Sequence, residues 1–313
     1  MKIQDYKKAI EESSFKGKIL ENENMSAHST MKVGGKASLF LSPENEDSLI
    51  LAASLALKSN IRFFVIGGGS NLIFSDSGFN GVIICTESLS KIELQQEKNE
   101  LLLKCGAGVK SNEISEFCEK NLLGGFEAFA GLPGSAGGAA FMNARCYGDE
   151  FSNHIKNVRY LDLYDLKTKT YEFNRNDWQY KKSPFQDGKK IILGVRLCGI
   201  KKLEKNSEEA KNSAEAARKN FENRRAKGHF DFPSAGSVFK NNHAFGKPSG
   251  AIIDECGLKG LEIGGAQVAP WHGNFIINRG TATAGDIKNL VEEIQKKVMK
   301  KTGFSLESEV IFV

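Results

Sequence analysis

Two glycine-rich segments carry the strongest chemical signal in this sequence. The first, residues 67–71, reads Gly-Gly-Gly-Ser-Asn between two apolar runs, and the second spans residues 131–143. Glycine allows a positive φ and lets a ligand approach main-chain N–H groups. Successive N–H groups in such a turn form a concave site that binds anions, above all phosphate. The two segments together predict a ligand with a pyrophosphate, or two phosphorylated ligands.

The first segment matches neither of the common phosphate-binding motifs. No Gly-Lys-Ser/Thr follows it, so it is not a Walker A loop, and its spacing departs from the Gly-x-Gly-x-x-Gly of dinucleotide-binding folds. A purely structural turn remains the alternative for this segment taken alone. Three consecutive glycines are costly unless the backbone is closely approached, so the second segment favours a ligand.

Ser237 follows a turn of small residues and is predicted to enter a strand near residues 237–240. It could act as a nucleophile or as a proton donor, and a plain turn serine is the alternative. A nucleophile elbow would read Gly-x-Ser-x-Gly and precede a helix, so hydrolase chemistry is disfavoured. Lys240 could bind a phosphate or a carboxylate, or lie on the surface.

Further candidates occur in a polar cluster at residues 176–185 and near the C-terminus. Tyr180 and Lys181 could orient an anionic substrate, with a solvated loop as the alternative. Glu309 lies on the predicted last strand and could equally face solvent. The five histidines have no metal-binding spacing, and His272 is the one most suggestive of a role.

Composition and charge exclude several classes of protein. The 313 residues are 40% apolar and 26% charged, with 43 basic against 38 acidic residues scattered among one another. This pattern does not predict nucleic-acid binding. The sequence shows no signal-peptide pattern and no apolar stretch of membrane-spanning length. Six dispersed cysteines without a Cys-x-x-Cys pair indicate neither a zinc site nor a redox disulfide, which favours a reducing cytoplasm.

Periodicity predicts an α+β chain in three blocks. Residues 1–28 are expected to form one helix and a loop. A β-α-β unit follows, with a strand after residue 35, a helix within 43–59 and a strand at 63–66. Residues 79–198 are expected to form antiparallel strands around one helix at 111–121.

The last third is predicted to begin at a domain boundary. Residues 201–228 are expected to form a charged helix with a narrow buried stripe at Ala210, Ala214, Ala217 and Phe221. Later strands are expected near 267–269 and 275–278. A helix over 284–301 is expected to begin at a Thr283–Asp286 capping box, with residues 306–313 forming the final strand.

Taken in order, these segments resemble the UDP-N-acetylenolpyruvoylglucosamine reductase family from about Ser29 to Val310. No single piece is decisive, but unrelated folds have no reason to share the ordered set. The matching segments are 29–35, 67–71, 75–79, 106–108, 131–148, 180–183, 233–241, 257–260, 264–266, 272–278 and 306–310.

The resemblance implies an FAD-binding domain of the vanillyl-alcohol-oxidase (PCMH) type over 29–200, with subdomains at about 29–78 and 79–200. An extension (1–28) would precede it and an α+β substrate-binding domain (201–313) would follow. NADPH would reduce non-covalent FAD, and flavin N5 would pass hydride to the enolpyruvyl C3 of a UDP-sugar. The product, UDP-N-acetylmuramate, serves peptidoglycan synthesis, cell-wall formation and division. A cytoplasmic monomer without nucleic-acid partners, membrane insertion or bound metal is implied.

The resemblance also assigns roles to individual residues. Ser237 would give a proton to C2, while Lys181 and Glu309 would stabilise the developing charge. Substrate would be bound by Tyr180, Lys240 and Asn274. The residues expected to bind the cofactor are Gly67, Gly68, Gly69, Ser70, Asn71, Gly134, Ser135, Gly137 and Gly138.

Two positions depart from the family pattern. Tyr180-Lys181 stands where the family usually has Tyr-Arg, and lysine lacks the planar two-pronged donor geometry of arginine. Arg145-Cys146 stands where Gly-Ala is common, so Arg145 could contact FAD phosphate or face solvent. The length and the lack of an extra tyrosine-bearing insertion resemble the shorter subclass.

Two other functions remain alternatives. One is an oxidase of the same flavin fold acting on an alcohol or lactone. Such enzymes often tether FAD through His or Cys near the first loop, and residues 60–80 contain neither. The other is a non-catalytic nucleotide-binding protein, which would need neither Ser237 nor Glu309.

Overall fold

The computed structural model describes residues 2–313, which cluster into two compact units. Unit 1 comprises residues 2–21, Leu39–Gly68 and Gly81–Asn223. Unit 2 comprises Asn22–Ser38, Gly69–Asn80 and Arg224–Val313. These units are interleaved along the chain and do not follow the three consecutive segments of the predicted domain plan, which remains a prediction.

The chain forms seven α-helices and eighteen strands within the described residues. The helices are α1 (Ile3–Glu11), α2 (Glu46–Lys58), α3 (Ser111–Lys120), α4 (Ala136–Phe141), α5 (Glu208–Ala226), α6 (Ser249–Glu255) and α7 (Ala284–Thr302). The strands are β1 (Gly17–Asn24), β2 (Lys36–Pro43), β3 (Phe63–Ile66), β4 (Leu72–Ile73), β5 (Phe79–Cys85), β6 (Ile92–Glu97), β7 (Glu100–Gly106), β8 (Leu123–Gly124), β9 (Arg145–Cys146), β10 (Asp149–Glu150), β11 (Ile155–Asp162), β12 (Thr168–Glu172), β13 (Lys190–Lys202), β14 (Ser234–Ser237), β15 (Glu262–Ile263), β16 (Ala266–Val268), β17 (Phe275–Asn278) and β18 (Ile311–Phe312).

The first sheet of unit 1 has the strand order β1-β2-β5-β3, with β3 parallel to β5. Asn45 caps helix α2 by accepting the N–H of Ser48 with its side chain, and the helix buries Leu49 and the alanines of one face. Tyr6 of α1 is fully buried, and its hydroxyl donates to the carbonyl of Ala52 at 2.8 Å. The predicted β-α-β elements are confirmed, and β5 lies between β2 and β3.

The second sheet of unit 1 is antiparallel, with the order β12-β11-β13-β7-β6. A separate core lies against it and includes the buried rings of Phe129, Phe151, Trp178 and Phe185. The strands and the helix predicted between residues 79 and 198 are all present.

Unit 2 packs helix α7 against the antiparallel sheet β14-β17-β16-β15. The predicted capping box is confirmed, because Thr283 Oγ1 accepts the N–H of Asp286 while Asp286 accepts that of Thr283. A second carboxylate serves the same helix end: Asp76 accepts the N–H groups of Ala284 and Gly285, both at 2.8 Å. These bonds satisfy donors that have no partner inside a helix.

Several elements differ from the prediction. Residues 1–28 contain strand β1 as well as a helix, because an edge strand with few buried side chains lacks apolar alternation. Helices α4 and α6 were also missed, since both are short and rich in small residues. The predicted strand 306–313 is wrong in extent: only Ile311–Phe312 is a strand, although Ser308 bridges Phe239.

Helix α5 confirms the predicted helix but not all of its buried stripe. Ala217 is buried, whereas the ring of Phe221 is 38% exposed. The helix is instead held by polar contacts to Glu127: Ser213 donates to its carboxylate at 2.5 Å and Asn220 donates to its carbonyl at 2.9 Å. Apolar spacing does not predict this face of α5, because the face contacts its neighbour through polar side chains.

Candidate functional site

The first glycine turn connects β3 to β4 and has no room for side chains. A Cβ on Gly67 would lie 2.1 Å from Ser135 Oγ, and one on Gly68 would lie 2.9 Å from Gly134 Cα. Gly69 has a φ of +61°, and a Cβ there would lie 2.0 Å from the carbonyl oxygen of His28. A Cβ at Gly68 or Gly69 would therefore displace main chain, and a Cβ at Gly67 would displace the side chain of Ser135. In unit 1, this close approach also brings Gly67 and Gly68 against the second glycine segment.

The backbone N–H groups of the first turn are available for a ligand. Within residues 2–313, those of Gly67, Gly68, Gly69, Ser70 and Asn71 donate to no protein acceptor. Consecutive unengaged donors in a glycine turn suit an oxyanion such as phosphate. This arrangement agrees with the cofactor role predicted for the segment.

The second glycine segment divides into donors that are used and donors that are not. Gly137 donates to Ala107 O at 2.9 Å, and Gly138 donates to Ser135 Oγ at 3.3 Å, which caps helix α4. In the described chain, the N–H groups of Gly134 and Ser135 have no protein acceptor. Contact with a ligand is therefore better supported for Gly134 and Ser135 than for Gly137 and Gly138.

Asn71 links the first turn to the C-terminal segment of unit 2. Its side-chain amide donates to the carbonyl of Glu309 at 3.0 Å, and its own carbonyl accepts the N–H of Ile311 at 3.0 Å. Strand β18 then continues parallel to β4. The side chain of Asn71 thus positions Glu309, although the two residues are 238 positions apart.

Ser237 and Glu309 lie on neighbouring backbone segments. Ser237 is the last residue of β14 rather than the first residue of a strand, so that expectation is wrong; the preceding Gly236 has a φ of +70° within a bulge. The next carbonyl, that of Val238, accepts the N–H of Glu309 at 2.7 Å. Ser237 and Glu309 are both half-buried. Among residues 2–313, the Ser237 side chain has no hydrogen-bond partner, so its hydroxyl is available to a substrate.

Asn274 holds the backbone that follows Ser237. Its amide donates to Phe239 O and its Oδ1 accepts Phe239 N–H, both at 2.8 Å, while its carbonyl accepts Val238 N–H at 2.9 Å. The side chain is buried and uses both amide atoms within the protein. This geometry favours a positioning role over the substrate contact predicted for Asn274.

Lys240 continues the same segment and forms an ion pair. Its Nζ lies 2.5 Å from Glu307 Oε1, and its N–H donates to the Glu307 carbonyl at 2.9 Å. Glu307 is largely exposed, so exchange of this partner for a ligand oxyanion would cost little. The binding role of Lys240 stays a prediction.

Tyr180 and Lys181 form the tip of a tight turn in unit 1. Gln179 and Lys182 exchange backbone hydrogen bonds at 3.3 and 3.0 Å, which leaves Tyr180 and Lys181 as the two central residues. Lys181 has a φ of +57°, as the third residue of a type II turn requires. That position usually takes glycine or asparagine, so the surrounding structure maintains an unfavourable backbone conformation.

His272, the histidine singled out from the sequence, lies in an aromatic cluster. The rings of His229 and His272 pack on Phe275 at 4.6 and 4.4 Å, and His272 Nδ1 accepts the N–H of Asn274 at 3.1 Å. Burial lowers the pKa of His272 and lowers that of His229 to about 4, helped by the charge of Arg224. No cluster of metal ligands is found among residues 2–313.

These shifts predict a loss of stability in mild acid. Unfolded His229 titrates near its ordinary pKa of 6.5 and folded His229 near 4, so the unfolded state binds more protons between these values. The stabilising contribution is therefore complete above pH 6.5 and declines as the pH falls toward 4. We expect His229→Phe to reduce the difference in the free energy of unfolding, measured with urea, between pH 7.5 and pH 5. A smaller difference should remain because of His272. His243→Phe, at an exposed histidine, should keep the wild-type slope. An unchanged slope in His229→Phe would contradict the assignment.

Comparisons with known proteins agree with this geometry. Residues 37–173 match the model of an FAD binding domain, and residues 228–313 match that of the UDP-N-acetylenolpyruvoylglucosamine reductase C-terminal domain. A UDP-N-acetylenolpyruvoylglucosamine reductase of Treponema denticola is 46% identical over 296 residues, covering 90% of this chain and 89% of its own. This chain belongs to the UDP-N-acetylenolpyruvoylglucosamine reductase family.

Other members of the reductase family extend the comparison. The reductase of Borreliella burgdorferi is 42% identical and 94% of each chain is covered. The crystal structure of the Thermus caldophilus reductase (MurB) superposes with a TM-score of 0.77 at 27% identity, covering 95% of this chain and 99% of that one. The family resemblance and the predicted fold, a PCMH-type FAD-binding domain with an α+β C-terminal domain, are confirmed.

The Tyr180 turn has a cation from another segment of unit 1 near it. A neighbouring cation, Arg145, has its Cζ 5.9 Å from the centroid of the Tyr180 ring. Sequence reasoning noted Arg145 as unusual but did not connect it with Tyr180. The two residues are 35 positions apart, and the sequence between them carries no local signal of contact. None of the helices within residues 2–313 is both long and apolar enough to cross a membrane.

Proposed function

We propose that this chain uses FAD and NADPH to reduce the enolpyruvyl group of UDP-N-acetylglucosamine enolpyruvate to the lactyl ether of UDP-N-acetylmuramate. The observation that carries the proposal is Ser237, with a half-buried, unpartnered hydroxyl in residues 2–313, beside the segment that bears Glu309. Relatives named as reductases of this type match along nearly their whole length. UDP-sugar and NADPH are the proposed small-molecule partners.

The glycine turns fit the diphosphate of a dinucleotide. The positions of Gly67 and Gly68 leave no space for a Cβ, and the N–H groups of residues 67–71 have no acceptor within the described chain. Gly134 and Ser135 offer two further donors of the same kind. Bound FAD supplies the hydride chemistry, and the protein supplies position and electrostatics.

Ser237 is proposed to hold the proton that completes the reaction at C2. Its backbone is fixed on both sides, by the pairing of Ser237 with Phe275 and by the bonds of Val238 to Asn274 and Glu309. Because the backbone is fixed and the Ser237 hydroxyl has no internal hydrogen bond among residues 2–313, the hydroxyl can donate to a substrate without first losing a protein partner. A serine hydroxyl is a weak acid, so it can act only on a strongly basic carbanion or through a relay.

Lys181 and Glu309 are proposed to stabilise the charge that develops on the enolpyruvyl group. An enolate needs cationic or hydrogen-bonding groups aimed at its oxygens. The Lys181 ammonium supplies a cation. Glu309 is proposed to take part in this stabilisation from a backbone position that the amide of Asn71 holds. Tyr180 and Lys240 are proposed to bind substrate, as predicted.

The proposal is tested with the purified protein. We expect a flavin spectrum, loss of visible absorbance on anaerobic addition of NADPH, and steady NADPH oxidation only when UDP-N-acetylglucosamine enolpyruvate is present. Acid treatment should release free FAD, whereas an oxidase with tethered flavin would retain it. A colourless protein that binds no added flavin would refute the proposal. A monomer in the cytoplasm remains a prediction, which gel filtration and cell fractionation would test.

A further inference from the structure

The turn of Tyr180 and Lys181 is bound to the C-terminal end of helix α4 in unit 1. The carbonyl of Phe141, the last residue of α4, accepts the hydroxyl of Ser183 at 2.7 Å and the side-chain amide of Gln186 at 2.8 Å. The same Gln186 amide donates to the carbonyl of Lys181 at 3.1 Å. These bonds join the end of the helix to the turn and to the segment that follows it.

Asn143 binds the residue that precedes Tyr180. It follows α4 in the chain, and its backbone N–H donates to the carbonyl of Ala140 at 3.2 Å. Its side-chain amide donates to the carbonyl of Gln179 at 2.9 Å. That carbonyl also accepts the N–H of Lys182, the bond that closes the turn, and an oxygen with two lone pairs can accept both. Asn143 therefore holds the turn at its closing hydrogen bond.

Three hydrogen bonds fix the orientation of the Asn143 amide. Besides its bond to the turn, Nδ2 donates to Glu150 Oε2 at 3.1 Å, and Oδ1 accepts the N–H of Ser152 at 3.1 Å. Nδ2 thus faces two acceptors and Oδ1 faces a donor, so a flipped amide would lose all three bonds. The side chain is buried and φ is +42°, a left-handed conformation that asparagine adopts more readily than most residues. Hydrogen bonding and backbone conformation both favour asparagine here.

Helix α4 connects this anchor to the second glycine segment. The helix is capped by Ser135, and the N–H groups of Gly134 and Ser135 are donors that the proposed function assigns to the cofactor. Its six residues span about 9 Å. The helix is held in the core of unit 1 by three buried alanines, which are Ala136, Ala139 and Ala140. The turn and the glycine segment are therefore attached to opposite ends of one short, packed helix.

We infer that Asn143 is a positioning residue, which holds the Tyr180–Lys181 turn at a fixed place relative to the cofactor segment, and that Gln186 is a second anchor for the same turn. The inference rests on the proposed function, in which Tyr180 binds the substrate and Lys181 stabilises the charge on its enolpyruvyl group. Asn143 and Gln186 act through the turn. Loss of either anchor weakens the use of the enolpyruvyl substrate and spares the reduction of the flavin by NADPH.

The test uses one buried and one exposed substitution. Asn143→Asp keeps the shape of the side chain but turns an oxygen toward two acceptors, the Glu150 carboxylate and the Gln179 carbonyl. Gln186→Met keeps the length of an exposed side chain and removes its N–H donors, so it tests the inference even if Asn143→Asp does not fold. We expect each to raise the KM for the enolpyruvyl substrate about three- to tenfold, the range for one lost hydrogen bond. Flavin content, the KM for NADPH and the rate of flavin reduction should stay within about twofold of wild type.

Asn153→Asp is the matched control. It makes the same change from amide to carboxylate beside an acidic side chain, since Asn153 Nδ2 donates to Asp149 at 2.9 Å. The partners of the Asn153 side chain, Asp149 and Arg175, lie outside the Tyr180 turn. The KM for the enolpyruvyl substrate should therefore stay within about twofold of wild type in this variant.

A variant that lacks both side chains of the turn, Tyr180→Ala with Lys181→Ala, tests whether Asn143 acts through the turn. This background should have a raised substrate KM, and adding Asn143→Asp should raise it by less than about twofold more, because residues of one network are not additive. A full further increase, a background with wild-type KM, or loss of flavin from both single variants would refute the inference. An unchanged substrate KM in Asn143→Asp and Gln186→Met would refute it as well. An inactive wild-type enzyme would instead refute the proposed function.

Discussion

Replacing Ser237 by alanine is expected to leave flavin reduction by NADPH intact and to slow product formation about 10²–10⁴-fold, the usual contribution of a positioned proton donor. The substitution removes one hydroxyl and keeps Cβ, and no protein hydrogen bond among residues 2–313 is lost with it. The neighbouring backbone is held by Asn274 and Glu309 through main-chain atoms of Val238. The site should therefore keep its shape while losing its donor.

The two half-reactions are measured separately by stopped-flow absorbance. Flavin reduction is followed under anaerobic conditions with NADPH alone, and reoxidation is followed after addition of the enolpyruvyl substrate. Ser234→Ala, in the same strand, is the control and should behave like wild type in both. Normal product formation by Ser237→Ala would show that another group delivers the proton.

Replacing Gly69 by alanine is expected to destabilise the protein by roughly 2–5 kcal/mol and to abolish stable FAD binding. A left-handed backbone costs about 1–2 kcal/mol for an alanine, and a forced steric overlap adds about 1–3 kcal/mol. The overlap here is with main chain, since the new Cβ would lie 2.0 Å from the carbonyl oxygen of His28. Relief requires the turn to move, which displaces the N–H groups of residues 67–71.

The control for this change separates backbone strain from steric overlap. Gly246 also lies in unit 2 with a φ of +70°, but a Cβ there would have nothing within 4 Å. Gly246→Ala should lower the free energy of unfolding only by the cost of a left-handed backbone, about 1–2 kcal/mol, and it should bind FAD normally. Urea unfolding and bound-flavin content report the two effects. Equal behaviour of the two variants would contradict the close approach described at Gly69.

Local sequence patterns predicted the elements whose apolar spacing or capping residues lie within one short stretch of the chain. Helix α7 was predicted with its capping box and its buried side, because apolar spacing and the Thr283–Asp286 pair occur within one short stretch. The strands of the second sheet were found in the same way. Edge strand β1 and the short helices α4 and α6 were missed. Their sequences show neither an alternation of apolar residues nor an apolar helical stripe, because contacts with neighbouring elements stabilise them.

Long-range hydrogen bonds account for the features of the site that escaped prediction. The bonds from Ala284 and Gly285 to Asp76 span 208 and 209 positions, and the contact of Asn71 with Glu309 spans 238. The sequence assigned Asn71 to the cofactor and Asn274 to the substrate. In the structure both side-chain amides bind the backbone, which positions Glu309 and the segment after Ser237, and the two assigned roles stay predictions.

The glycine turns, Ser237, Glu309 and the Tyr180 pair were singled out from the sequence because glycine permits a positive φ and because hydroxyl, carboxylate and cationic side chains can do chemistry; their roles stay predictions. The ordered set was sufficient to indicate the family. Only the tertiary structure decided which N–H groups are left for a ligand, which polar side chains are consumed internally, and that Arg145 stands beside Tyr180. These outcomes depend on contacts between distant segments, and such contacts leave no periodic or local signature in a chain.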